Sequence, residues 1–166
     1  SPNFVGSRTG TTNREFTSYT FTYTVYTTFP ANGYATLSMP PSMVLSSGAT
    51  AHYHLSSTGT NSTVSMTSAT TLSATTITLN FNGLVTTSLP INTIFTITIS
   101  NIQNYYSFKP ITMQLIVFTS DKFAIEQSDS AAVSFTNTVT DVSLVVATAN
   151  SVTVNGAVVA YQITIS

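Results

Sequence analysis

The sequence predicts an all-β chain folded as an antiparallel β-sandwich, and three observations carry that expectation. First, the run Tyr19-Thr20-Phe21-Thr22-Tyr23-Thr24-Val25 alternates apolar residues with threonine. Successive side chains of a strand point to opposite faces, so this run has one greasy face and one hydroxyl face. Second, similar runs recur at short, regular intervals with turn residues between them, as in a sandwich. Third, no stretch shows a long 3.6-residue apolar period flanked by caps.

In chain order, residues 1–13 (SPNFVGSRTGTTN) are small and polar with two glycines, which reads as a linker or N-terminal arm. Strands are expected over 16–28, 34–39, 50–55, 62–67, 75–81, 94–100, 111–119, 131–137, 142–147 and 158–165. The expected inward sets are Tyr19/Phe21/Tyr23/Val25, Ala35/Leu37/Met39, Ala51/Tyr53/Leu55, Ile77/Leu79/Phe81, Phe95/Ile97/Ile99 and Val133/Phe135. Residues 111–118 are nearly continuous in apolar character, which suits a central strand, with a short buried helix as the alternative. Between the strands lie Phe29-Pro30-Ala31-Asn32-Gly33, Ser46-Ser47-Gly48, Asn82-Gly83 and Asn155-Gly156. Asn and Gly tolerate the positive φ that tight turns require. Leu89-Pro90 and Lys109-Pro110 put proline where it can open a strand.

The end of the chain follows the same pattern, with Val159, Tyr161, Ile163 and Ile165 alternating with smaller or polar residues. Aligning Tyr161 with Tyr19 makes 158–164 resemble 16–22. Residues 14–155 are therefore read as the sandwich, and 156–166 as a terminal strand. That strand opens the next unit of a tandem array or is donated to a neighbouring subunit, the plain alternative being that any two amphipathic strands look alike.

Composition narrows the function. The 166 residues suit one domain, large enough to bury a core without staples. Cysteine is absent, which excludes disulfides and thiolate metal sites. Only 5% of residues are charged and the net charge is −1, against about 25% charged in an ordinary soluble domain. Charge repulsion between copies is then weak, and self-association is eased. About a third of the residues are Ser or Thr, which leaves hydroxyls to keep the surface wet. Four basic residues make no footprint for nucleic acid. The longest apolar stretches, such as 144–147, are too short to span a bilayer.

Candidate sites are few. His52 and His54 stand i, i+2 on one strand face, opposite Tyr53, and have the spacing of a chelating pair. The nearest acid in sequence is distant, so the preferred reading is two solvated histidines and no metal is assigned. Asp121, Glu126 and Asp129 share one loop-like stretch, and carboxylates of this kind ligate calcium. Their spacing matches no EF-hand, and turn residues are the preferred reading. Lys109 and Lys122 are the only lysines, read as exposed rather than cross-linked to a core asparagine. Asn61-Ser62-Thr63 is an N-glycosylation sequon. No serine lies in a G-x-S-x-G elbow, no loop has the pattern that cradles phosphate, and no carboxylates pair for glycoside chemistry. No catalytic residue and no cofactor is therefore expected.

The stretch TFTYTVYTTFPANGYATLSMP (20–40) resembles the opening of Ig-like repeats in large secreted or surface proteins of ciliates and other protists. TITISNIQNYYSFKPI, leading to VFTSDKFAIEQSDS, is similar to the later part of such modules. The resemblance implies an Ig-like sandwich in an extracellular or cell-surface tandem-repeat protein, structural or adhesive, and carries over no catalytic residue. The functional expectation is a structural unit of a fibre or surface coat. It would be joined head to tail by edge-strand pairing or strand exchange through Tyr19, Phe21 and Tyr23 with Val159, Tyr161, Ile163 and Ile165. Its partners would be copies of itself or neighbouring repeats. The alternative is a monomeric adhesin or carbohydrate-binding sandwich with a glycan partner.

Overall fold

A computed structural model describes residues 4–107 and 109–136. Among them lie nine strands and no helix: β1 (Phe4–Arg8), β2 (Phe16–Thr24), β3 (Tyr34–Met39), β4 (Ala51–Leu55), β5 (Thr60–Thr70), β6 (Thr75–Asn80), β7 (Ile94–Gln103), β8 (Gln114–Phe118) and β9 (Ala124–Asp129). All pair antiparallel, in the order β1-β2-β7-β4-β5-β6-β3-β8-β9.

β5 belongs to both layers. Its first half pairs with β4, from Leu55↔Thr60 to Ala51↔Val64, and its second half pairs with β6, from Ser65↔Asn80 to Thr70↔Thr75. A strand that changes sheets makes the corner of a sandwich. The first sheet reads β1-β2-β7-β4 and the second contains β3-β8-β9. These are the A-B-E-D and C-F-G sets of an immunoglobulin-type sandwich. The β5–β6 hairpin is inserted between D and E, and β6 extends the second sheet beside β3.

The period-2 pattern builds the core. Every member of the six expected inward sets is buried. Phe95 packs face to face with Phe29 at 5.1 Å and with Tyr53 at 5.4 Å between ring centroids, and edge to face with Phe81 at 5.0 Å. These offset and T-shaped arrangements suit the aromatic quadrupole. The turns follow the sequence too. Asn32 takes φ 53° and Gly83 φ 74°, and the Gly83 N–H donates to the Asn32 side-chain carbonyl at 3.0 Å. Gly33 is needed for closeness, since a Cβ there would stand 2.6 Å from the Phe118 carbonyl oxygen.

Residues 111–118 resolve in favour of the strand reading, with β8 held between β3 and β9. Three segments differ from expectation. Residues 131–136, expected as most of a strand, make only isolated bridges, from Val133 to Ile111 and from Thr136 to Thr12. Residues 4–8, read as part of a linker or arm, form β1 along the edge of β2. Residues 124–129, read as loop, form β9. A bulge between Val117 and Phe118 of the pairing adds Ile125 to β9 and breaks the alternation that would have revealed it. The expected strands at 142–147 and 158–165 lie outside the described residues.

Tyr19 and Tyr23 are 1% and 2% exposed. Burial pushes both phenols well above the ordinary range. The positive charge of Arg8 partly opposes this at Tyr19, and the nearby Glu126 carboxylate adds to it at Tyr23. The folded chain thus keeps two protons that an unfolded tyrosine releases near pH 10. Stability is expected to hold steady up to about pH 9 and to fall progressively above about pH 10. Urea midpoints measured against pH check this, and Tyr19→Phe is expected to make the alkaline fall shallower.

Candidate functional site

The outer faces of the two sheets differ in chemistry. On the first sheet the outward residues form hydroxyl rows. Thr20, Thr98, His52 and Thr63 align across β2, β7, β4 and β5, with Thr22, Thr96, His54 and Asn61 in the next row. The Thr20 and Thr98 hydroxyls are 3.2 Å apart.

On the second sheet the alternation that buries Leu115 and Val117 turns Gln114, Ile116 and Phe118 outward. Opposite them on β3 stand Ser38, Thr36 and Tyr34. The Tyr34 and Phe118 rings stack at 4.7 Å with planes 4° apart. Beside this stack runs an open groove lined by Ile116, Phe118, Ala124, Ile125, Glu126 and Gln127. Phe123, which precedes β9, is 71% exposed. Its lining combines apolar side chains with the polar Glu126 and Gln127.

One inward-facing acid stiffens this edge. Glu126 lies opposite the buried Val117 and accepts from the Tyr26 N–H at 3.3 Å, the Thr27 N–H at 3.2 Å and the Thr27 hydroxyl at 3.1 Å. It ties β9 to the loop after β2. At the far end of the sandwich, the buried Asn104 accepts the Tyr19 hydroxyl at 2.5 Å and donates to the carbonyls of Gly10 at 3.3 Å and Thr12 at 2.7 Å. Arg8 donates to the Ser134 carbonyl and lies 4.6 Å over the Phe135 ring.

The sites expected from sequence fall as follows. Tyr19, Phe21 and Tyr23 fill the core, and β2 has neighbours on both sides, so its edges are already paired. The open sheet edges among the described residues are those of β1 and β9, together with the outer sides of the two halves of β5, each of which pairs along one side only. Val159, Tyr161, Ile163 and Ile165 lie outside the described residues. Asn61 is exposed on β5, with its Oδ1 2.8 Å from His54 Nδ1. Asp121, Glu126 and Asp129 make no metal cluster among the described residues. Glu126 is turned into the sandwich, while Asp129 accepts from Gln114 Nε2 at 3.0 Å. Lys109 and Lys122 are exposed. Sequence reasoning missed the groove along β8 and β9, because its wall is assembled from a strand the bulge had hidden.

No protein-family model and no curated protein sequence matches the chain. Among solved structures it is similar to the C-terminal domain of the AgI/II polypeptide BspA from Streptococcus agalactiae. The TM-score is 0.44 at 8% identity, over 80% of this chain and 49% of that one. The chain thus spans about half the length of that structure. The collagen-binding domain of a Staphylococcus aureus adhesin gives a TM-score of 0.38 at 6% identity, over 78% and 97% of the two chains. AvmM, which catalyses macrocyclisation in alchivemycin A biosynthesis, gives 0.44 at 10% identity, over 81% and 89%. Likenesses at this level carry no argument about function. No helix among the described residues is long and apolar enough to cross a membrane.

Proposed function

We propose that this chain is an extracellular, adhesin-like binding module that recognises neutral glycans along the β8–β9 groove and performs no catalytic step. The observation that carries this reading is the groove itself. Phe118 and Ile116 line it with apolar surface for the C–H faces of a sugar, and Gln127 in the same lining supplies an amide to bond its hydroxyls. Sites of this make-up, mostly apolar with a few polar groups, are the usual form of a ligand cleft. A chain with 5% charged residues has little with which to recognise a charged partner, which favours a neutral one. The exposed Asn61 sequon fits the same compartment as a glycan acceptor.

The test is a glycan array probed with the full chain and with Phe118→Ala. Phe118 is only half-buried on an outer face, so the variant is expected to keep its fold and to lose at least tenfold in affinity for the glycans that bind. Absence of any neutral-glycan binding, or equal binding by the variant, overturns the reading.

A second reading keeps the fibre or coat unit, and the observation that favours it is the β1 edge. β9 is guarded by a bulge and by an inward-pointing charge, two common defences against edge pairing. β1 pairs with β2 without a bulge, and its one charge, Arg8, is engaged with Phe135 and Ser134. In this reading β1 receives the strand of a neighbouring unit, and the alternating residues Val159, Tyr161, Ile163 and Ile165 donate it. Sedimentation of the full chain separates the two readings, since a binding module stays monomeric where a coat unit forms chains.

A further inference from the structure

We propose that His52 and His54 form a two-histidine site for a late first-row transition-metal dication, copper(II) ahead of nickel(II) and zinc(II). β4 buries Ala51, Tyr53 and Leu55, which turns both histidines onto the outer face of the first sheet. Residues two apart on one strand face lie about 7 Å apart, within reach of one ion between two imidazoles.

The rings are oriented by the neighbouring strand. The Asn61 side-chain carbonyl lies 2.8 Å from His54 Nδ1, so that nitrogen carries the proton and Nε2 presents its lone pair. Thr63 Oγ1 lies 3.4 Å from His52 Nδ1. Both partners belong to β5, so the Nδ1 side of each ring faces that strand, and Nε2, on the other side of each ring, is the nitrogen left to bind an ion. Holding one ring nitrogen with a side-chain acceptor is how proteins fix the tautomer of a ligating histidine.

The surroundings suit a cation that prefers imidazole. β2, β4, β5 and β7 carry no Lys or Arg, so no positive charge on these strands repels the ion. They carry no Asp or Glu either, so the site lacks the carboxylate oxygens that calcium and magnesium need. Two imidazoles, with water completing the shell, bind divalent metals in the order that peaks at copper(II). The hydroxyls of Thr96 and Thr98 flank the pair on β7 and are placed to bond those waters.

Calorimetric titration of the full chain with copper(II) tests the site. One ion per chain is expected, with at least tenfold weaker binding in His52→Ala and again in His54→Ala, and no heat from calcium or magnesium at the same concentrations. If either single variant binds copper as tightly as the parent, the pair is not a site and the proposal fails. An NMR measurement on the parent chain serves even if a variant does not fold. Sub-stoichiometric copper(II) is expected to broaden first the resonances of His52, His54 and their neighbours Asn61, Thr63, Thr96 and Thr98. Broadening centred elsewhere overturns the proposal.

Discussion

Replacing Phe95 by alanine is expected to destabilise the fold by about 4 kcal/mol, a large share of the total stability of a domain this size. Phe95 is fully buried on β7 and touches both layers of the core. Its ring stacks on Phe29 and Tyr53 and meets the edge of Phe81. Alanine would remove the buried ring area and leave a cavity that three rigid rings, each held by other contacts, cannot collapse to fill. Phe29 packs on Phe81 at 5.3 Å and Tyr53 on Phe81 at 5.8 Å, so the remaining rings brace one another around the hole. Urea denaturation measures the loss as a lower midpoint at an unchanged slope. Phe118→Ala, on the half-buried outer face, is the comparison and is expected to cost far less. Equal losses in the two variants would mean that the cluster is not the centre of the core.

Asn104→Ala is expected to cost about 3 kcal/mol, and for a different reason. Asn104 is 1% exposed and is the meeting point of three bonds. Alanine would strand the Tyr19 hydroxyl and the carbonyls of Gly10 and Thr12 without that partner. A buried polar group left unpaired costs about 1–3 kcal/mol. Tyr19→Phe removes only one of the three bonds and is expected to cost about 1 kcal/mol. The ratio between these variants reads the node directly. The same bonds position the β1–β2 loop, so Asn104→Ala is also expected to speed amide exchange in residues 9–13 more than Phe95→Ala does. Thr17, buried beneath this loop, accepts the Gly10 N–H at 2.6 Å and helps to hold it.

Phe95 and Asn104 also mark where the sequence is legible and where it is not. Phe95 declares itself, because the alternation of Phe95, Ile97 and Ile99 with Thr96 and Thr98 places it inward by period alone. The same logic finds β2, β3, β4 and β6 to within a few residues, since a half-buried strand must write its two faces into a period of two. Asn104 follows the last regular residue of β7 and belongs to no period. Its importance comes from carbonyls more than ninety residues earlier in the chain, and nothing local signals that. β9 was hidden by Ile125, whose insertion shifts the register and sends Glu126 inward where a polar residue reads as outward. β1 was hidden because an edge strand beside Gly6 needs few apolar residues of its own. The groove was illegible for a further reason. The outward residues of β8 look unremarkable until β3 brings Tyr34 against Phe118 and β9 supplies the other bank. The histidine pair, in contrast, is visible from its i, i+2 spacing alone, while the orientation that β5 gives the two rings is not.

The short pairing between the β1–β2 loop and the last described residues has a mechanical meaning. Thr12 and Thr136 form a parallel bridge, with the Thr136 N–H donating to the Thr11 carbonyl at 2.9 Å and the Asn13 N–H to the Thr136 carbonyl at 3.0 Å. The Thr136 hydroxyl adds a third bond to the Thr11 carbonyl at 3.1 Å. Because these segments run side by side in the same direction, a pull on the chain just before Thr11 and after Thr136 drags them past each other lengthwise. The bonds then bear the load together instead of opening one at a time, as they would in an antiparallel hairpin pulled from its open end. A module tethered at both ends would meet a pull on its C-terminal side at this clasp, and one on its N-terminal side first at the β1–β2 ladder.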